Sequence, residues 1–172
     1  IGIRCTVSSK LTIQRNRIVD GCDRGIEVSD AHNSDISHNY IEADDQGSIH
    51  IELSGDVIVA YNHSRSSGGD GLYLNNCGTP VVNGNHIYSA AQYGIAYVNA
   101  PGGNGLPIVT NNQVLNCNGG VAGADQTYID GTTGVFDSNV CLAGSGPGDA
   151  VFPAGKTLWY PRNPSTGQED LA

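Results

Sequence analysis

Six asparagines divide the chain at nearly even intervals. Asn16, Asn39, Asn62, Asn85, Asn112 and Asn139 sit in the strings QRNRI, SHNYI, AYNHS, NGNHI, TNNQV and DSNVC, spaced by 23, 23, 23, 27 and 27 residues. Two apolar columns keep the 23-residue step: Ile3, Ile26, Ile49, Leu72 and Ile95, and Cys5, Val28, Ile51, Leu74 and Tyr97. Ile13, Ile36, Val59, Val82, Val109 and Phe136 follow the full 23/27 pattern. Independent columns sharing one period define a structural repeat. Each repeat holds short apolar–x–apolar triplets separated by Gly, Asn, Asp and Ser. A helical solenoid needs about ten or more helix-forming residues per repeat, which are missing, and the leucine consensus of leucine-rich repeats is absent. A coil of short strands remains, each turn stacked on the next by parallel pairing ~4.8 Å apart. The fold class is therefore all-β. The asparagine column then belongs at a tight turn, its side chains bonding the equivalent residue one turn away and the turn backbone.

Composition agrees. The 172 residues include 24 glycines and no methionine, only 15% are charged, and no amphipathic helical pattern appears. The regular spacing of Ile and Val argues against disorder despite the glycine. A net charge of −9 argues against nucleic acid or an anionic membrane as partner. Five of the eight basic residues are Arg4, Lys10, Arg15, Arg17 and Arg24, so one end can meet an anion locally. Five cysteines cannot all pair within the chain. Cys5 and Cys141 read as small core residues, while Cys22, Cys77 and Cys117 lie near turns where one pair could bridge. No Cys/His zinc spacing occurs. The start at IGIRC, without methionine, reads as a mature form or a piece of something longer.

The strings RNRIVDGCDRGIEVSD, HNYIEADDQGSIHIELS and GNHIYSAAQYGIAYVN resemble the right-handed parallel β-helix repeat of the pectate-lyase-like superfamily, from Ile3 to about Phe152. The resemblance implies a single-stranded right-handed parallel β-helix of about seven coils, and an extracellular or cell- or virion-surface location. Members include polysaccharide lyases, glycoside hydrolases, epimerases, phage tailspikes and non-enzymatic surface proteins. The DPHE string of mannuronan epimerases and the paired GDD and GHG strings of polygalacturonases are absent, and ADDQGS is only a faint echo of them. Coils are expected over 1–152 and a C-terminal cap or tail over 153–172, with Phe152, Leu158, Trp159 and Tyr160 closing the last coil. The insertions PGGNGLP and GADQTYIDGTT should bulge at one corner. No N-terminal cap is visible, so self-association or a further domain is expected over the first coil.

Alternation along a strand sends His50 outward between Ile49 and Ile51. Its column runs Arg4, Glu27, His50, Tyr73, Ala96, and the next outward column runs Thr6, Ser29, Glu52, Asn75, Val98. These side chains suit a polysaccharide lyase or uronate epimerase, which removes a proton beside a carboxylate. His50 would be the base, Tyr73 the acid and Arg4 the neutraliser. Glu27 would be the anion beside the imidazole, and Asn75 a substrate contact. An inverting glycoside hydrolase would instead use Glu27 and Glu52, whose α-carbons should lie roughly 8 Å apart. A non-catalytic carbohydrate-binding or structural module is the third reading, because outer faces of a β-helix are polar in any case.

A second surface carries Arg17, Tyr40, His63, His86 and Gln113, with Arg15, His38 and Tyr61 beside it. Tyr40, His63 and His86 suit carbohydrate stacking. Two imidazoles alone make a poor metal site. No cofactor is expected. Calcium at Asp20, Asp23, Asp30, Asp44, Asp45 or Asp70 is the one alternative, and no loop there has a calcium-site spacing.

Overall fold

Each turn of the chain is three short strands because its apolar triplets are three residues long and polar turn formers separate them. The computed structural model describes residues 1–65, 67–98, 106–117, 127–129, 135–143 and 146–147. At 20, 21, 43, 44, 127–129, 136, 137, 140–143, 146 and 147 the backbone alone is described. Three parallel faces result. The first face stacks β1 (Ile3–Ser8), the second halves of β3 (Arg17–Ala31) and β5 (Tyr40–Glu52), β8 (Asp70–Asn75), β11 (Ile95–Val98) and β14 (Thr127–Ile129). The second face stacks β2 (Thr12–Gln14), β4 (Ser34–Ser37), β6 (Val57–Ala60), β9 (Val81–Asn83), β12 (Ile108–Thr110) and β15 (Val135–Asp137). The third face stacks the first halves of β3 and β5, then β7 (His63–Arg65), β10 (His86–Tyr88), β13 (Gln113–Leu115) and β16 (Val140–Ala143). Six strands stack on each face among the described residues, one fewer than the seven coils expected. After β16 the chain reverses, and β17 (Gly146–Pro147) pairs with it antiparallel.

The core is the inward columns laid end to end. Ile26, Val28, Ile36, Ile41, Ile51, Val59, Leu74, Val82 and Val114 are fully buried. Tyr97, the largest fully buried side chain among the described residues, donates its hydroxyl hydrogen to the Cys77 carbonyl at 2.8 Å. Cys5, Cys22, Cys77 and Cys117 are thiols rather than disulfide halves. The expected bridge among Cys22, Cys77 and Cys117 is therefore absent: Cys77 and Cys117 occupy buried core columns, where burial pushes each thiol up to about 11. The side chain of Cys141, both insertions except for a few residues, and the expected cap lie outside the described residues.

The asparagine file forms as its spacing predicts. Asn62 Oδ1 accepts from both the backbone N–H and Nδ2 of Asn39, each at 3.0 Å. Asn62 N–H and Nδ2 donate in turn to Asn85 Oδ1, both at 3.0 Å, and Nδ2 also donates to the Ile36 carbonyl at 2.8 Å. The pattern runs from Asn16 to Asn139. Asn39, Asn62, Asn85 and Asn112 are buried, and each carboxamide there has both donors and its oxygen engaged. The left-handed residue at this corner is the one before each asparagine: Arg15, His38, Tyr61, Gly84, Asn111 and Ser138 all have φ between 54° and 64°.

Candidate functional site

The outward columns of the first face assemble as their spacing requires. Cα partners run Arg4 to Glu27, Glu27 to His50, His50 to Tyr73 and Tyr73 to Ala96. Beside them Ser29, Glu52, Asn75 and Val98 are partnered in the same way. His50 points outward, yet its side chain is only 15% exposed. The Tyr73 ring stacks on the imidazole with centroids 4.6 Å apart and planes 25° from parallel. Glu52 Oε1 lies 2.7 Å from His50 Nε2. In the neutral ring this contact keeps the proton on Nε2 and leaves the lone pair on Nδ1.

One expected contact is different. The anion that reaches His50 is Glu52 on its own strand, not Glu27 on the neighbouring one. Glu27 is taken by two guanidiniums, Arg4 at 3.1 Å and Arg24 at 3.2 Å. Burial raises the Glu27 carboxyl, but the hydrogen bonds and charges of the two arginines outweigh it and hold the group below the usual glutamate range. Burial, and then the negative charges of Glu52 and Asp70, raise the Tyr73 phenol. Tyr73 therefore stays protonated at neutral pH and can give a proton rather than take one.

Arg24 and Asp70 belong to this site although strand alternation does not point to them. At the corner leading into the first face, in four successive rungs, two consecutive residues turn inward: Gly25 and Ile26, Ser48 and Ile49, Gly71 and Leu72, Gly94 and Ile95 are all buried. The outward column beyond that break is Arg24, Gly47, Asp70 and Tyr93, in register where paired. Its 23-residue spacing is visible in the sequence, but its phase is not. Asp70 Oδ1 accepts the Tyr93 N–H at 2.9 Å, and burial raises its carboxyl despite that bond and the nearby His50.

On the third face a file of rings climbs the coil. The Arg17 guanidinium lies 5.4 Å from the Tyr40 ring centre, Tyr40 is 5.1 Å from His63, and His63 is 4.7 Å from His86 edge-on. The Tyr40 hydroxyl donates to Glu42 at 2.6 Å. Across the buried asparagines, His38 and Tyr61 form a shorter file at 5.2 Å. Among the described residues no three His, Cys, Asp or Glu side chains are grouped to hold a metal ion.

A family model for right-handed β-helix regions matches residues 1–148. No curated protein and no solved structure matches the chain. The parallel three-faced coil and its asparagine file agree with that match, which covers most of the sequence, and this chain belongs to the right-handed β-helix family.

Proposed function

We propose that the first face acts on an acidic extracellular polysaccharide, as a polysaccharide lyase or uronate epimerase. The observation that carries the reading is the His50–Glu52 pair, held beneath Tyr73 and beside a cluster with one more guanidinium than carboxylate. Glu52 orients the imidazole, and His50 Nδ1 is the lone pair available to take the proton from the carbon next to a uronate carboxylate. Arg4 and Arg24 share one partner in Glu27, so their guanidiniums are the cations that meet the uronate carboxylate and the developing enolate, against the opposing charges of Glu52 and Asp70. In elimination the C–H electrons form the C=C bond, the C–O bond to the next sugar breaks, and Tyr73 protonates the departing oxygen. In epimerisation the same carbanion takes a proton from water on its opposite face, and His50 returns the proton it removed to solvent. The hydrolase alternative is weaker: Glu27, held ionised between two guanidiniums, could only be its base, and Glu52, which would have to be the acid, is engaged by His50 at 2.7 Å.

The ring file Arg17, Tyr40, His63 and His86 favours a second reading, a non-catalytic surface on which sugar rings stack.

Incubation with a panel of polyuronates, followed by ultraviolet absorbance of unsaturated ends and by proton NMR for epimerised residues, tests the first reading. His50→Ala and Glu52→Gln should each lower the rate by roughly a hundredfold or more, while thermal stability falls by about 1 kcal/mol or less. Undiminished activity in His50→Ala removes the site from this face. Binding of polyuronate without turnover, lost on Tyr40→Ala, transfers the function to the ring file.

A further inference from the structure

The second face has an outward column that changes character partway along. It begins with Thr12 and Asp35 and continues as Ile58, Val81, Ile108 and Val135, each in register with the next. Ile58, Ile108 and Val135 are 46%, 39% and 54% exposed. Single exposed aliphatics are ordinary, but a strip of them across four rungs is not. A groove of about 480 Å³ opens over this strip, lined by Asp35, Asp56, Ile58, Thr79, Val81 and Ile108 among others. That size falls among small-molecule sites, roughly 300–1,000 Å³.

The charge of the groove is one-sided. Among the described residues Asp35 and Asp56 are its only charged lining residues, and no Lys, Arg or His lines it. Asp56 accepts from the Thr79 hydroxyl. Asp35 Oδ2 accepts from Gln14 Nε2 at 2.7 Å, whereas Asp35 Oδ1 is out of solvent and has no hydrogen-bond partner among the described residues. That oxygen is as closed to a ligand as to water, so a cation in the groove would meet the carboxylates at Asp35 Oδ2 and Asp56. Strands of three or four residues make the face roughly 10–13 Å wide, so the four apolar rungs, about 4.8 Å apart, cover roughly 200 Å², far below the ~800 Å² per partner of a stable protein interface. The strands along the face are already paired on both sides over its middle, so an extended peptide would gain no backbone ladder there.

We infer that this groove binds a small amphiphilic organic cation, its ammonium or guanidinium on Asp35 and its hydrocarbon part on Ile58, Val81 and Ile108. The site is separate from the first face and stands whether or not the chain acts on polysaccharide. Octylamine, protonated at neutral pH and kept below its aggregation concentration, is the probe, followed by amide NMR on the full chain. Saturable shifts should centre on residues 35, 56–58, 79–81 and 108. 1-Octanol and octyl sulfate should bind about tenfold or more weaker, and Asp35→Asn should lose the same factor for octylamine. Ile58→Ser, at a half-exposed position that keeps the fold, should weaken octylamine and octanol alike. Shifts scattered over the molecule, equal binding of octyl sulfate, or undiminished octylamine affinity in a natively folded Asp35→Asn or Ile58→Ser would overturn the assignment. So would binding of a lysine-bearing apolar peptide with none of octylamine, which would make the occupant a macromolecule.

Discussion

A left-handed backbone costs an ordinary residue roughly 1–2 kcal/mol, and this chain accepts it at Arg15, His38 and Tyr61 as readily as at Gly84. The turn geometry that lines up the asparagines outweighs the preference, because each buried amide contributes several hydrogen bonds at about 1 kcal/mol net apiece. Gly84, Asn111 and His38 at this corner are residue types that favour a positive φ, whereas Arg15, Tyr61 and Ser138 are not. Beyond the asparagines, His63 illustrates what stacking does to a single group. Burial first, then the charges of His86 and Arg65, lower its proton affinity, with Glu42 opposing. The unfolded chain then binds more protons than the folded one between the two pKa values, so stability rises with pH across that window. The melting temperature of the wild type should therefore fall on acidification below about pH 6.5, the usual histidine value. In His63→Gln part of that slope should vanish, with the neutral-pH melting temperature nearly kept. Equal slopes in calorimetry would mean that His63 does not feel its neighbours.

At the scale of elements, the corner with two inward residues is where size is matched across a rung. A methyl group on Gly71 would stand 2.3 Å from Ile87 Cγ2 and 2.8 Å from the Gly94 carbonyl, and one on Gly2 would meet Ile18 Cγ2 at 2.8 Å. In the rung where serine replaces that glycine, the opposing residue is also serine, and Ser64 donates to Ser48 at 2.6 Å. Gly71→Ala should cost about 1–3 kcal/mol through overpacking. Adding Ile87→Ala, which removes the Cγ2 methyl that the new group would meet, should cost less than the sum of the single changes, a coupling that urea unfolding of the double-mutant cycle measures. Strict additivity would show that the two positions do not touch. This corner also limited what the sequence revealed. Columns two residues apart on one strand were legible, so Arg4, Glu27, His50, Glu52, Tyr73 and Asn75 could be placed together from the repeat alone. Arg24 and Asp70 lie across a break in alternation marked only by the small-residue column Gly2, Gly25, Ser48, Gly71 and Gly94, which does not by itself tell a second inward position from an ordinary turn. The pairing of Glu27 with the arginines and of Glu52 with His50 depends on side-chain directions, which a repeat period does not encode.

At the scale of the molecule, the fold follows from one number, the rung length, because it turns sequence distance into height along the coil. Everything proposed for the three faces depends on residues 23 apart, and later 27 apart, standing one above another. Nuclear Overhauser contacts between side chains test this directly. The side-chain amides of Asn39, Asn62, Asn85 and Asn112 should exchange slowly and show contacts from each to the next, and the His50 and Tyr73 rings should show contacts to each other. Fast-exchanging amides without mutual contacts, or His50 and Tyr73 rings that do not see one another, would contradict the stacked coil and with it the sites built on its faces.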